Sequence, residues 1–281
     1  MHATRRKFLG TLTFGIPVLK MTARSAQSIL ELKPPQGGEK IAYGTGEFQF
    51  GELRLPEGPG PHPAAIVIHG GYWRAAYGLA HIGHLCAAFN KAGIATWSLE
   101  YRRVGNPGGG WPGTFDDVRN GAGHLHRFGQ SKGLDIKRVI ATGHSAGGHL
   151  VIWLARQGVL DLRGIVPLAP VADLRKAYEL GLGNHAVREL LDGSPKEHPD
   201  RYNAASPPDL LPLKVRQRIV HGAADNIVPI SLSRDYVAAA RSKGDDATLR
   251  ELRGTGHFEV IDPRTPAWPA LRDVALELLA A

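Results

Sequence analysis

The chain has 281 residues, 43% of them hydrophobic, enough to bury a substantial core in one large domain or two small ones. A single cysteine, Cys86, excludes an intramolecular disulfide and a cysteine-based zinc site. The formal charge of +8 invites a nucleic-acid or membrane-surface partner, but Arg5, Arg6, Lys7, Lys20 and Arg24 sit within residues 1–25 with no acid among them; without that segment the charge is +3 and no such partner is called for.

Residues 1–25 run from "TRRKFLG" through the apolar "TLTFGIPVL", with small residues in "TARSAQS". This resembles a twin-arginine export signal peptide, an address rather than an anchor, and implies a periplasmic or secreted protein. The alternative is a basic, poorly ordered N-terminus on a cytoplasmic protein. No later stretch approaches the roughly 18 consecutive apolar residues of a spanning helix, so no stable membrane anchor is expected.

After the irregular "KPPQGGEK", the alternation in "EFQFGELRLP" predicts a strand and "GPGPHP" a turn. "AAIVI" is wholly apolar, as a strand covered on both faces must be. "LAHIGHLCAAFNKAG" has helical spacing and closes on Gly93, with Cys86 as a small buried apolar side chain. "IATWSLEY" is the next buried strand. The Gly-rich loop "RRVGNPGGGWPG" lacks the Lys-Ser/Thr of a phosphate loop and is expected near the site. It leads into the helical "TFDDVRNGAGHLHRFG", where Thr114 is suited to cap and Asp116 and Asp117 to the positive first turn. "KRVIATG" reads as strand, "AGGHLVIWLARQG" as helix and "LRGIVPLAPV" as strand. From Ala172 to Leu213 the pattern loosens into an excursion too short and polar for its own core. Alternation resumes with the strand "VRQRIVHG", a helix from about Ser231 to Lys243, the strand "ATLRELRG" and the amphipathic "PAWPALRDVALELLA". Such alternation implies an α/β fold with a mostly parallel central sheet flanked by helices.

Three strand ends carry chemistry. Gly143-His144-Ser145-Ala146-Gly147 has the form of a nucleophile elbow, a strand-to-helix turn so tight that small residues must flank the serine. A serine hydroxyl needs a base in contact and a group that orients it. Asp225 in "RIVHGAADNIVP" and His257 in "ELRGTGHFEVIDP" each follow a strand. The carboxyl ends of parallel strands share one edge, so Ser145, Asp225 and His257 are expected to converge. "VIHGGYW" follows the first buried strand, and the amides of Gly71 and Tyr72, with that of Ala146, are the expected oxyanion hole. His81/His84 and His124/His126 form close pairs without a carboxylate at ligand spacing, so no metal is expected.

"HGGYW", "GHSAGGHL", "GAADNIVP" and "GTGHFEVIDP" together resemble the α/β-hydrolase superfamily over about residues 45–281, and the His-Gly-Gly-x-Trp form is similar to its esterase/lipase and kynurenine formamidase (arylformamidase) branch. "EYRRVGNPGGGWPGTFDDV" is similar to bacterial members of that branch. The resemblance implies hydrolysis of a carboxylic ester or small amide without cofactor. The resulting expectation is a serine hydrolase that cleaves a small ester through an acyl-enzyme, with residues 172–213 as a cap and Trp73 and Trp111 lining the substrate pocket. An arylformamidase would share every catalytic residue. A small exopeptidase or a non-catalytic binding protein on the same scaffold are the remaining alternatives.

Overall fold

The computed structural model describes residues 28–280; the segment read as an export signal lies outside the described residues. Eight strands form one sheet in the order β1-β2-β4-β3-β5-β6-β7-β8. The first two, β1 (Glu39–Ala42) and β2 (Phe50–Arg54), are antiparallel to their neighbours. The other six, β3 (His62–Ile68), β4 (Ala95–Leu99), β5 (Leu134–His144), β6 (Gly164–Leu168), β7 (Gln217–Gly222) and β8 (Ala247–Leu252), are parallel.

Ten α-helices accompany them among the described residues: α1 (Ser28–Glu31), α2 (Gly83–Lys91), α3 (Gly113–Gly123), α4 (Leu125–Phe128), α5 (Ala146–Gln157), α6 (Leu174–Glu179), α7 (Leu182–Leu191), α8 (Pro199–Ala205), α9 (Ser231–Ser242) and α10 (Ala267–Ala280). None is long and apolar enough to cross a membrane. The strands are apolar on both sides because both are covered. Along β3, Ala64, Ile66 and Ile68 face one hydrophobic cluster while Ala65 and Val67 face the other, the two-residue period of a pleated strand. α3, α5 and α9 cover the first face, and α2 and α10 the second. The excursion 172–213 supplies Leu174, Ala177, Val187, Leu190, Tyr202 and Ala205 to the first cluster, so it shares the sheet's core.

Two local expectations change. Residues 39–42 pair as an edge strand where the sequence suggested only an irregular lead-in. α3 begins at Gly113, before Thr114, whose hydroxyl instead donates to the Arg102 carbonyl at 2.6 Å and accepts from the Gly110 amide at 3.1 Å. Asp117 is buried and takes two 2.7 Å hydrogen bonds from the Arg102 guanidinium and one from Gln49, which ties α3 to the loop after β4.

Candidate active site

The parallel strands end along one edge in register: Ile68 of β3 lies beside Gly143 of β5, His144 beside Leu168 of β6, and Gly222 of β7 beside Leu252 of β8. Each expected catalytic side chain follows one of these ends within a few residues. Ser145 comes directly after β5 with φ 58° and ψ −118°, backbone that costs a non-glycine residue on the order of 1–3 kcal/mol. The turn is held by the Ser145 amide, which donates to the Leu168 carbonyl at 2.8 Å, and by its carbonyl, which accepts from His149 at 3.1 Å. A Cβ on Gly143 would come 2.5 Å from the Gly147 carbonyl oxygen, and one on Gly147 would come 2.2 Å from that of Ile68. Only glycine lets these backbones approach so closely.

Asp225 and His257 are brought together by two abutting loops. The Ala224 amide donates to the Thr255 carbonyl at 2.9 Å, and a Cβ on Gly222 would sit 2.2 Å from the same oxygen. His257 Nδ1–H donates to Asp225 Oδ2 at 2.6 Å, which leaves Nε2 as the ring's free nitrogen. Asp225 Oδ1 accepts from the Ile227 and Val228 amides at 2.8 and 2.9 Å. Burial alone would raise the Asp225 carboxyl, yet hydrogen bonds from His221 and His257 and the His257 charge outweigh it and hold the group well below the usual carboxylate range.

Ser145 and His257, each 3% exposed, line one cavity of about 270 Å³. Its other walls are Gly71, Tyr72, Tyr77, His81, Ile227, Phe258 and Leu30. A larger concavity, about 690 Å³, runs along β2 and α2 and contains none of these groups. Gly71 and Tyr72 follow β3 with φ 107° and 52°, and Ala146 is the first residue of α5, so its amide has no partner within the helix. A Cβ on Gly70 would meet the His144 carbonyl oxygen at 2.7 Å, which presses the Gly70-Gly71 loop against the elbow. Such a cleft can place a hydroxyl nucleophile, an imidazole base and backbone donors around one carbonyl carbon.

Both tryptophans expected at the substrate lie elsewhere. Trp73 is fully buried in the core, edge-on to His149 at 5.2 Å, because the left-handed backbone at Tyr72 and Trp73 turns the tyrosine to the cleft and the tryptophan inward. Trp111 packs edge-on to Phe115 at 5.0 Å, and its amide donates to the Leu190 carbonyl. The excursion also stays out of the cavity wall. It abuts the back of Tyr72, where a Cβ on Gly183 would come 2.4 Å from the ring, and Arg74 anchors it through Glu189 and the Asn184 carbonyl.

Several supporting residues have partners that the sequence did not signal. His221 Nε2 faces both Asp225 Oδ2 (3.2 Å) and the Val228 carbonyl (3.1 Å), so the proton sits there and Nδ1 accepts from Ser233. His144 Nε2–H donates to the His257 carbonyl at 2.8 Å, and its Nδ1 accepts from His81 Nε2–H at 2.8 Å. Under the Gly70-Gly71 loop, His69 stacks on Tyr101 at 4.4 Å and meets Glu100 at 3.0 Å. Glu100 also takes the Tyr101 amide and pairs with Arg103. Among the described residues, no group of three or more His, Cys, Asp or Glu is arranged to hold a metal ion. Cys86 is buried, and burial pushes its thiol up to about 11, so it stays protonated.

The BD-FAE family profile matches residues 53–239, well over half of the chain. A probable isoprenylcysteine α-carbonyl methylesterase of Oryza sativa subsp. japonica is 23% identical over 243 residues; the match covers 78% of this chain and 58% of that protein's length. Among solved structures, a truncated carbohydrate esterase from gut microbiota superposes with a TM-score of 0.76 at 22% identity, covering 89% of this chain and 98% of that one. Esterase B from Lactobacillus rhamnosis gives 0.76 at 19% identity over 91% and 89%. A thermophilic esterase from Thermogutta terrifontis gives 0.70 at 20% over 88% and 94%. The chain therefore belongs to the BD-FAE family of esterase-like α/β-hydrolases.

Proposed function

We propose that the protein is a serine carboxylesterase acting on a small ester through an acyl-enzyme, with Ser145 as nucleophile, His257 as general base and then acid, and Asp225 as its orienting carboxylate. The observation that carries this reading is the 2.6 Å hydrogen bond from His257 Nδ1 to Asp225, with His257 and Ser145 sharing one cavity. Ser145 Oγ attacks the ester carbonyl as His257 Nε2 takes its proton. The Gly71, Tyr72 and Ala146 amides stabilise the oxyanion. Collapse expels the alcohol, which receives the proton from His257 and leaves Ser145 acylated. Water repeats the attack, releases the acid and restores the hydroxyl. Membership of an esterase-like family and likeness to three esterases support the choice of an ester over a peptide.

The test is a panel of p-nitrophenyl esters, aryl acetates and N-formylkynurenine. The reading expects ester turnover that Ser145→Ala lowers on the order of a thousandfold or more while the fold is kept. A folded Ser145→Ala protein with most of its activity would overturn the mechanism. Preference for N-formylkynurenine over every ester would replace the ester reading with arylformamidase chemistry on the same residues. Export through the twin-arginine route is proposed alongside, from Arg5 and Arg6 ahead of an apolar run and the absence of acid before Glu31. Replacing both arginines by lysine should leave the precursor inside the cell; wild-type protein found uncleaved in the cytosol would refute export.

A further inference from the structure

One wall of the cleft comes from far outside the catalytic motifs. Leu30 of α1 lines the same cavity as Ser145 and His257, yet it precedes β1 and belongs to neither hydrophobic cluster. It is 37% exposed, placed at the mouth rather than in the core. The segment that carries it is fastened at several points downstream. Pro34 packs on the start of α2, where a Cβ on Gly83 would meet its ring at 2.9 Å. Pro35 sits in a groove with His84, Ala88 and Trp268. Gly38 lies so close to β2 that a Cβ there would come 2.1 Å from the Leu53 carbonyl oxygen, and β1 then pairs with β2. Only three residues separate Leu30 from Pro34, so these attachments restrict where the leucine can go.

The facing walls, Tyr72, Tyr77, Ile227 and Phe258, are aromatic or aliphatic, and none carries a formal charge at neutral pH. A cavity of about 270 Å³ is below the usual range for sites that enclose a whole ligand, roughly 300–1,000 Å³. A side chain at its mouth therefore decides how long an apolar group fits. We infer that Leu30 is a specificity-determining residue: the N-terminal strap uses it to limit the length of the uncharged acyl or alkoxy group that the cleft accepts. The inference rests on the serine-esterase reading above.

The test compares wild type, Leu30→Ala, Leu30→Trp and Leu32→Ala on two series. One lengthens the acyl chain of p-nitrophenyl esters from acetate to decanoate, and the other lengthens the alcohol of acetate esters. Leu32 is on the same strap, 40% exposed, and does not line the cavity. The ratio of kcat/KM for the longest to the shortest substrate is the readout, with melting temperature as the check on folding. Each buried methylene is worth about fourfold, and one or two methylenes in a pocket discriminate on the order of tenfold or more. Leu30→Ala should raise the ratio by on the order of tenfold in at least one series, Leu30→Trp should lower it, and Leu32→Ala should leave it unchanged. If wild type is active and both folded Leu30 variants keep its ratio in both series, the strap's role is wrong while the esterase reading stands. A wild type inactive on every ester would overturn both.

Discussion

In the proposed mechanism, Asp225 is the residue on which the chemistry of the cleft turns. Its carboxyl is held well below the usual range, so it stays ionised wherever the enzyme works and cannot be the source of an acidic limb in the rate profile. In the proposed mechanism His257 Nε2 must be unprotonated to accept the serine proton. Asp225→Asn keeps the size but puts an amide where His257 Nδ1–H now donates. The ring should then favour the wrong tautomer, and kcat should fall by up to about ten-thousandfold, as in the triad case where this exchange is best understood, with KM changed far less. Measuring both constants from about pH 6 to 9 checks this; near-normal turnover in the Asn variant would move the third role to another carboxylate. The Ser145, Asp225, His257 set was legible because each residue type follows a strand end and parallel strands end together. That His144 hydrogen-bonds beside the nucleophile was legible too, but not its partner, the backbone carbonyl of His257, 113 residues away. Nor was the fate of Trp73, since one left-handed turn at Tyr72 and Trp73 decides which of the two aromatics meets the cleft.

Among the elements, the β5–α5 elbow and the end of β3 depend on each other most closely. Gly147 lies in the first turn of α5 against two backbone carbonyls, and a Cβ there would come 2.2 Å from the oxygen of Ile68 and 2.6 Å from that of His69. Neither contact can be relieved by turning a side chain. Gly147→Ala should cost about 1–3 kcal/mol of stability, as overpacking does. It should also lower kcat on the order of a hundredfold by shifting the Gly70-Gly71 loop relative to Ser145. Gly158, just past the other end of α5, has φ 63° and nothing within 4 Å of its would-be Cβ, so Gly158→Asn should change activity little. Urea unfolding and steady-state kinetics on the pair separate local crowding from a general weakening of α5; an active, fully stable Gly147→Ala would show that the elbow has more room than its geometry gives it. The same tightness made this region readable, because closely packed backbones demand glycine and glycine is visible in a sequence. β1 was not readable: Glu39, Lys40 and Ala42 are exposed on an edge strand and carry no buried face to impose a period. The start of α3 was misplaced for a different reason. Thr114 has the right chemistry for a cap but uses its hydroxyl to hold the loop before it.

At the scale of the whole molecule, the site is braced by histidines that must stay neutral. Burial pulls His81 down to about 3, helped by the nearby His69 and His257, and pulls His149 down to about 4 against the stabilising Ala205 carbonyl. His144 is likewise lowered well below its ordinary value, first by burial and then by His257 and His81. These rings join separate parts of the fold: His81 precedes α2, His144 ends β5 against the His257 loop, and His149 of α5 donates to the Ala205 carbonyl of the excursion at 3.0 Å. In the unfolded chain each would titrate near 6.5. Their folded values are depressed, so below about pH 6.5 the unfolded state binds protons that the native state refuses. The stability they contribute is present above that pH and is lost as the pH falls toward the folded values. Three such protons give a slope of about 4 kcal/mol per pH unit between roughly pH 6 and 4, and Asp225 adds a loss of the same sign only lower still. Against a typical total of about 5–15 kcal/mol, that slope removes about 6 kcal/mol by about pH 5 and should unfold the protein there or below. Urea midpoints at pH 7, 6 and 5, with proton uptake on unfolding, measure it directly. His149→Phe should remove about a third of the slope while lowering stability at pH 7 through the lost Ala205 hydrogen bond. Stability that stayed level from pH 7 to 5 would mean that the buried rings carry charge in the native state, and that His81 and His144 do not pair as neutral rings.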